Sequence, residues 1–166
     1  KIGSRYRQTG FSVVLSGFYT HGKNMIDWVQ TTETELNDSK YHVMNIGKLD
    51  NMGFNVDAEI YMNELLPRCF VTNIRLGYAY INQNHETETE ILKSLYALEY
   101  LRHKAVFGLD HKIWSKLSAS WSVRWQQQMN GYHPYTKVDC KVMWNDRKYS
   151  VYVKADNAPT IYAWVP

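Results

Sequence analysis

The chain has 166 residues, and its 19 Lys and Arg against 16 Asp and Glu leave a charge of only +3, with no basic cluster to suggest a nucleic-acid partner. No run of 18 apolar residues is present, so no membrane-spanning helix is expected. Aromatic residues make up 14% and are interleaved with polar ones, a composition that fits a sheet with unlike faces, including a membrane barrel that alternates lipid-facing and lumen-facing residues.

Period-two alternation recurs along the whole chain. Residues 11–20 (FSVVLSGFYT) place Phe11, Val13, Leu15 and Tyr19 on one side. From Tyr41 to Asn63 one phase persists through Gly47 and Gly53, with Met44, Ile46, Met52, Phe54, Val56, Ala58 and Ile60 in step. We read a single strand of about 20 residues there, with a hairpin turn over 48–51 as the alternative. Residues 73–81 (NIRLGYAYI) set Ile74, Leu76, Tyr78 and Tyr80 opposite Asn73, Arg75 and Gly77. Residues 101–110 set Ala105, Phe107 and Leu109 opposite Arg102, Lys104 and Gly108. In 117–125 (LSASWSVRW), Leu117, Ala119, Trp121, Val123 and Trp125 alternate with three serines and Arg124. Residues 137–144 set Val138, Cys140, Val142 and Trp144 opposite Lys137, Asp139 and Lys141, and 149–155 continue the pattern. So many such segments predict an all-β, antiparallel, up-and-down fold of about eight strands, organised as one unit over 1–166.

Connections alternate in length. Short ones (8–10, 64–68, 110–114 and 145–148) interleave with longer polar ones (31–40, 82–96 and 130–134). Short turns at one end and long loops at the other match a transmembrane barrel with periplasmic turns and extracellular loops. The apolar face has three possible neighbours: the interior of a soluble barrel binding a hydrophobic ligand, a second sheet, or lipid. The small, sparsely charged polar rows favour a lumen on the opposite side, and the aromatics near strand ends suit interfacial girdles. Leu76, Tyr78, Phe107, Trp121, Trp125, Val142 and Trp144 are therefore expected to face lipid, and Arg75, Arg102, Arg124 and Lys141 the lumen.

Several phrases resemble TonB-dependent outer-membrane receptors. They are GFYTHGKNMIDWV (17–29), YHVMNIGKLDNMGFNVDAEI (41–60), LGYAYI (76–81), YLRHKAVFGLDHKIWSKLSASWSVRWQ (100–126), YTKVDCKVMW (135–144) and VYVKADNAPTIY (151–162), the last as a final Asn-containing loop. Asn45, Gly47, Lys48, Gly53 and Phe54 match the family pattern, whereas Asn55 stands where the family prefers Glu. The resemblance is greatest to cobalamin- and siderophore-type receptors of Bacteroidetes-like bacteria. It implies the C-terminal part of a larger barrel in the outer membrane of a Gram-negative cell, without the plug domain and the last strand. As partners it implies lipid, a plug domain, TonB and an imported small molecule such as cobalamin, an iron siderophore or a glycan. The long loops would contribute to ligand handling, with no individual ligand-binding residue standing out.

Enzymatic chemistry finds no support. The six histidines lack zinc-ligand spacing, 85–90 (HETETE) lacks the spacing of an EF-hand calcium loop, and no phosphate-binding glycine loop or nucleophile elbow occurs. Cys69 and Cys140 read as small apolar side chains, and no cofactor is expected. The chain starts at Lys1 with no leader pattern, as expected if a signal has been removed or the chain is part of something longer.

Overall fold

The computed structural model describes residues 1–31, 41–45, 47–86, 91–94, 101–129 and 133–158. Eleven strands are present among them: β1 (Ile2–Gln8), β2 (Phe11–Gly22), β3 (Ile26–Thr31), β4 (His42–Asn45), β5 (Lys48–Tyr61), β6 (Val71–Glu86), β7 (Ile91–Ser94), β8 (Leu101–Lys112), β9 (Leu117–Gln128), β10 (Tyr135–Asn145) and β11 (Ser150–Ala158). A single turn of helix, α1 (Met62–Leu65), lies between β5 and β6.

Eight strands form one antiparallel sheet in the order β1-β2-β5-β6-β8-β9-β10-β11. Neighbours in that order are also successive along the chain once β3, β4 and β7 are set aside, which is the up-and-down arrangement. The sheet is not closed: β1 pairs with β2 alone and β11 with β10 alone among the described residues. β3, β4 and β7 make a second, three-stranded sheet, ordered β4-β3-β7, from the two long connections that follow β2 and β6.

The alternating pattern over 41–63 is two strands in two sheets, not one. β4 pairs with β3, whereas β5 pairs with β2 and β6. The break falls at Gly47, which has φ +75°, a left-handed conformation that glycine adopts at little cost. The Asn45 side chain accepts the Gly47 N–H at 2.9 Å, closing a local turn. Residues 48–51, the alternative hairpin position, lie inside β5. The long connection expected at 82–96 is also shorter, because β6 runs on to Glu86 and β7 occupies 91–94. The alternating segment at 149–155 falls almost entirely in β11, which runs on to Ala158 and so occupies the first part of 151–162, the stretch that the resemblance reads as a final loop. Most of the 31–40 connection, and the tip of the one at 130–134, lie outside the described residues.

Very little of the described part of the chain is buried. Among the described residues the buried hydrophobic side chains are Val29, Leu49, Ala119 and Met129, and of these Val29 is fully enclosed. Val29 and Leu49 pack with Met25 and Met44 where the small sheet meets the large one. A water-soluble domain of this length buries a sizeable core. Here the large sheet has an apolar face over which no second layer lies among the described residues.

Candidate functional site

Antiparallel pairing places directly opposed residues on the same side of a sheet. One row of register partners crosses all eight strands: Tyr6, Val13, Ala58, Leu76, Phe107, Val123, Val138 and Ala158. Every member is apolar or aromatic. The rows on either side continue it, through Leu15, Val56, Tyr78, Ala105 and Trp125 towards the long connections. Towards the short ones it continues through Phe11, Ile60, Ile74, Leu109, Trp121 and Cys140. Leu76, Phe107, Trp121 and Trp144 are 41–46% exposed despite their size. The nine residues of β9 from Leu117 to Trp125 rise about 27 Å along the strand, or about 20 Å after the usual tilt, close to the apolar band of a membrane barrel.

All seven residues expected on the apolar face lie there. Leu76 pairs with Phe107, and Val142 with Ala119 and Val153. Trp144 pairs with Leu117 and Val151 at the short-turn end. A groove of about 540 Å³ runs between Tyr78, Phe107 and Trp125 over the small side chains of Ala58 and Ala105.

Aromatic groups bound this face at both ends. His103 lies 5.0 Å from the Tyr80 ring, 6.2 Å from Tyr78 and 6.3 Å from Trp125 between ring centres. Its Nδ1 shares a hydrogen bond of 2.7 Å with the Tyr78 hydroxyl. At the other end the Trp121 indole N–H donates to His111 Nε2 at 3.1 Å, and Phe70 meets His111 edge-on at 6.4 Å. Each cluster combines apolar rings with a polar pair, the amphipathic character that suits a membrane–water interface.

The opposite face is polar and paired. Arg75 contacts Asp110 at 3.1 Å, and Arg124 contacts Asp139 at 2.6 Å. Lys141 sits over the Tyr152 ring at 4.6 Å, a cation–π contact. Glu59 accepts hydrogen bonds from Asn73 and Tyr61, and Arg7 lies over the Tyr61 ring. A depression of about 450 Å³ on this side is lined by Arg5, Arg7, Asp57, Glu59, Tyr61 and Arg75 among others. Arg102 differs from the other three expected lumen residues. The β8–β9 register skips it, it is exposed, and it makes no ion pair with a described residue.

Two features escaped the sequence reading. At the long-connection end of β2 and β5, Asp50 accepts the Tyr19 hydroxyl at 2.7 Å and contacts His21 Nδ1 at 2.6 Å. His21 and Asp50 are register partners, a pairing that only the β2–β5 alignment reveals. At the short-turn end, the Lys116 ammonium reaches Asp146 at 2.9 Å, and Asn145 N–H donates to Lys116 O. Bonds from Lys116 and from the Arg147 N–H hold the Asp146 carboxyl below the usual carboxylate range. Among the described residues no group of three or more His, Cys, Asp or Glu could hold a metal ion.

The family model described as TonB dependent receptor-like, beta-barrel matches residues 1–158. Neither a curated protein nor a solved structure matches the chain. The eight-stranded up-and-down sheet, its continuous apolar face and a match over nearly the full length agree, and the chain belongs to the β-barrel family of TonB-dependent receptors, the barrels of outer-membrane transporters.

Proposed function

We propose that this chain forms part of the barrel wall of an outer-membrane transporter that imports a nutrient such as cobalamin, an iron siderophore or a glycan. The apolar row crossing all eight strands carries the reading, because a sheet that buries almost no core must have its apolar face covered by something else, and in this family that is lipid. On this reading Leu76, Tyr78, Phe107, Trp121, Trp125, Val142 and Trp144 meet lipid. Arg75, Arg102, Arg124 and Lys141 line the lumen, where water and the plug domain of the full-length receptor are their partners. TonB supplies the energy-coupling contact elsewhere in that receptor. The small β4-β3-β7 sheet raises the wall above the bilayer on the extracellular side and offers a ligand a surface built from two connections.

Residues facing a soluble cavity would be shielded from bilayer lipid, so fluorescence separates the alternatives. Trp121 and Trp125 emission should be quenched by lipid brominated in its acyl chains; unquenched emission from both sinks the membrane reading. The nutrient class is settled by binding measurements on the full-length receptor with labelled cobalamin, ferric siderophore and oligosaccharide.

A further inference from the structure

The connections differ in charge as well as length. Those after β2 and β6, residues 23–47 and 87–100, hold three lysines against seven Asp and Glu, a net of −4. The four short connections hold Arg68, Lys116, Arg147 and Lys148 against Glu64 and Asp146, a net of +2, with Lys112 ending β8 beside them. Both short-end carboxylates are engaged locally: Glu64 accepts the Gly10 N–H at 2.9 Å and Asp146 holds Lys116. Arg68, Lys112, Arg147 and Lys148 are exposed and make no ion pair with a described residue.

These cations sit among large exposed apolar groups. Trp114 is 73% exposed and Phe70 67%, with Tyr149 and Ile113 beside them in the turns. Three of the turns are joined into one rim. Lys112 N–H donates to Phe70 O at 2.7 Å, and Asn145 N–H donates to Lys116 O at 2.8 Å. Through His111, Phe70 is continuous with Trp121 on the apolar face.

From this arrangement we infer that the short-turn rim is a docking surface for anionic phospholipid headgroups of the leaflet it meets. This rests on the membrane reading above. Aromatic side chains anchor at headgroup depth, and the unpaired guanidinium and ammonium groups beside them meet phosphate. The acidic long connections offer no such complement. An acidic protein would also attract the cations, but it would leave unexplained why the exposed rings extend the face that lies against lipid.

The test uses the full chain refolded into nanodiscs of phosphatidylcholine. Emission lost on Trp114→Phe is compared when equal bulk fractions of acyl-brominated phosphatidylglycerol or acyl-brominated phosphatidylcholine are present. The expected result is stronger Trp114 quenching by the anionic lipid, corresponding to about fivefold local enrichment, that collapses at high salt. The R68Q/K112Q/R147Q/K148Q variant should reduce quenching to the phosphatidylcholine level. Equal quenching of the unmodified chain by both lipids overturns the lipid-docking proposal and leaves the membrane reading intact. Quenching by neither lipid, at Trp114, Trp121 or Trp125, overturns both. Should the fourfold variant fail to insert, the comparison of lipids and salt on the unmodified chain decides alone.

Discussion

Arg124 and Asp139 lie on neighbouring strands with Nη2 and Oδ2 2.6 Å apart, and the other oxygen of Asp139 accepts the Asn157 backbone N–H at 2.9 Å. One carboxylate thus ties β9, β10 and β11 together on the polar face. It does so where the β10–β11 register shifts between Val138 and Cys140, and where Asn157 adopts φ +58°. A half-buried pair between two strands, with the Arg124 end open to solvent, contributes little by itself. A carboxylate that satisfies a backbone donor at an irregularity does more, because the ladder cannot supply that bond. Asp139→Ala should speed amide hydrogen exchange at Asn157 several-fold while leaving Trp125 amide exchange in β9 near its original rate. Unchanged exchange at Asn157 would show that the irregularity holds without the carboxylate.

Gly53 and Gly17 make a contrasting pair. A Cβ at Gly53 would stand 2.4 Å from Tyr80 O and 2.9 Å from the Phe18 ring, whereas at Gly17 the nearest group is Gly53 O at 3.7 Å. The first clash involves backbone of the adjoining strand and cannot be relieved by rotating a side chain. Gly53→Ala should destabilise by about 1–3 kcal/mol, the usual cost of overpacking. Gly17→Ala should fall within about 0.5 kcal/mol of the original, as substitutions in open positions do. Urea unfolding in lipid vesicles gives both values, and equal losses would contradict the close approach of β5 to β6.

The apolar face was legible residue by residue because its period of two is the only regularity a strand needs, and each expected lipid-facing residue from Leu76 to Trp144 falls on it. β1 was missed because its corresponding positions, Ile2, Ser4, Tyr6 and Gln8, alternate too weakly in polarity. The break at Gly47 was invisible for another reason. Residues 41–63 keep one phase on both sides of it, and phase says nothing about which strand is the partner. Asn82 to Glu86 extend β6 through residues polar on both faces, where no contrast remains to mark a strand. The pairs Arg124–Asp139 and His21–Asp50 depend on register between strands, which single-strand alternation does not contain.

Leu76 sits in the middle of the apolar row, flanked by Ala58 on β5 and Phe107 on β8. If this row lies at the bilayer midplane, Leu76→Arg should cost about 2–4 kcal/mol, whereas the same change at a position near the rim should cost at most about 1 kcal/mol. Ile113→Arg, in the turn between β8 and β9, is the rim comparison. Equilibrium unfolding in vesicles should rank them in that order. A neutral Leu76→Arg would remove the midplane placement.

Asp146 and Lys116 predict a pH dependence at the turn end. Asp146 carries a folded-state pKa lowered from an ordinary value of 3.8, first by the Lys116 hydrogen bond and then by the Arg147 N–H, with desolvation opposing both. A lowered folded pKa means that the folded state holds the proton less tightly than the unfolded one. The stabilisation is therefore fully present above the unfolded value and is lost as pH falls through the lowered folded value. The lock joins the β8–β9 and β10–β11 turns, so its loss should loosen those two turns before the sheet. Protection of the Asn145 and Asp146 amides, taken relative to their intrinsic exchange rates at each pH, should fall as the medium is acidified below the ordinary carboxylate pKa. Asp146→Asn should show the lower protection already at neutral pH and lose that acid dependence. If the variant and the original chain exchange alike across the range, the Lys116–Asp146 contact does not hold the two turns together.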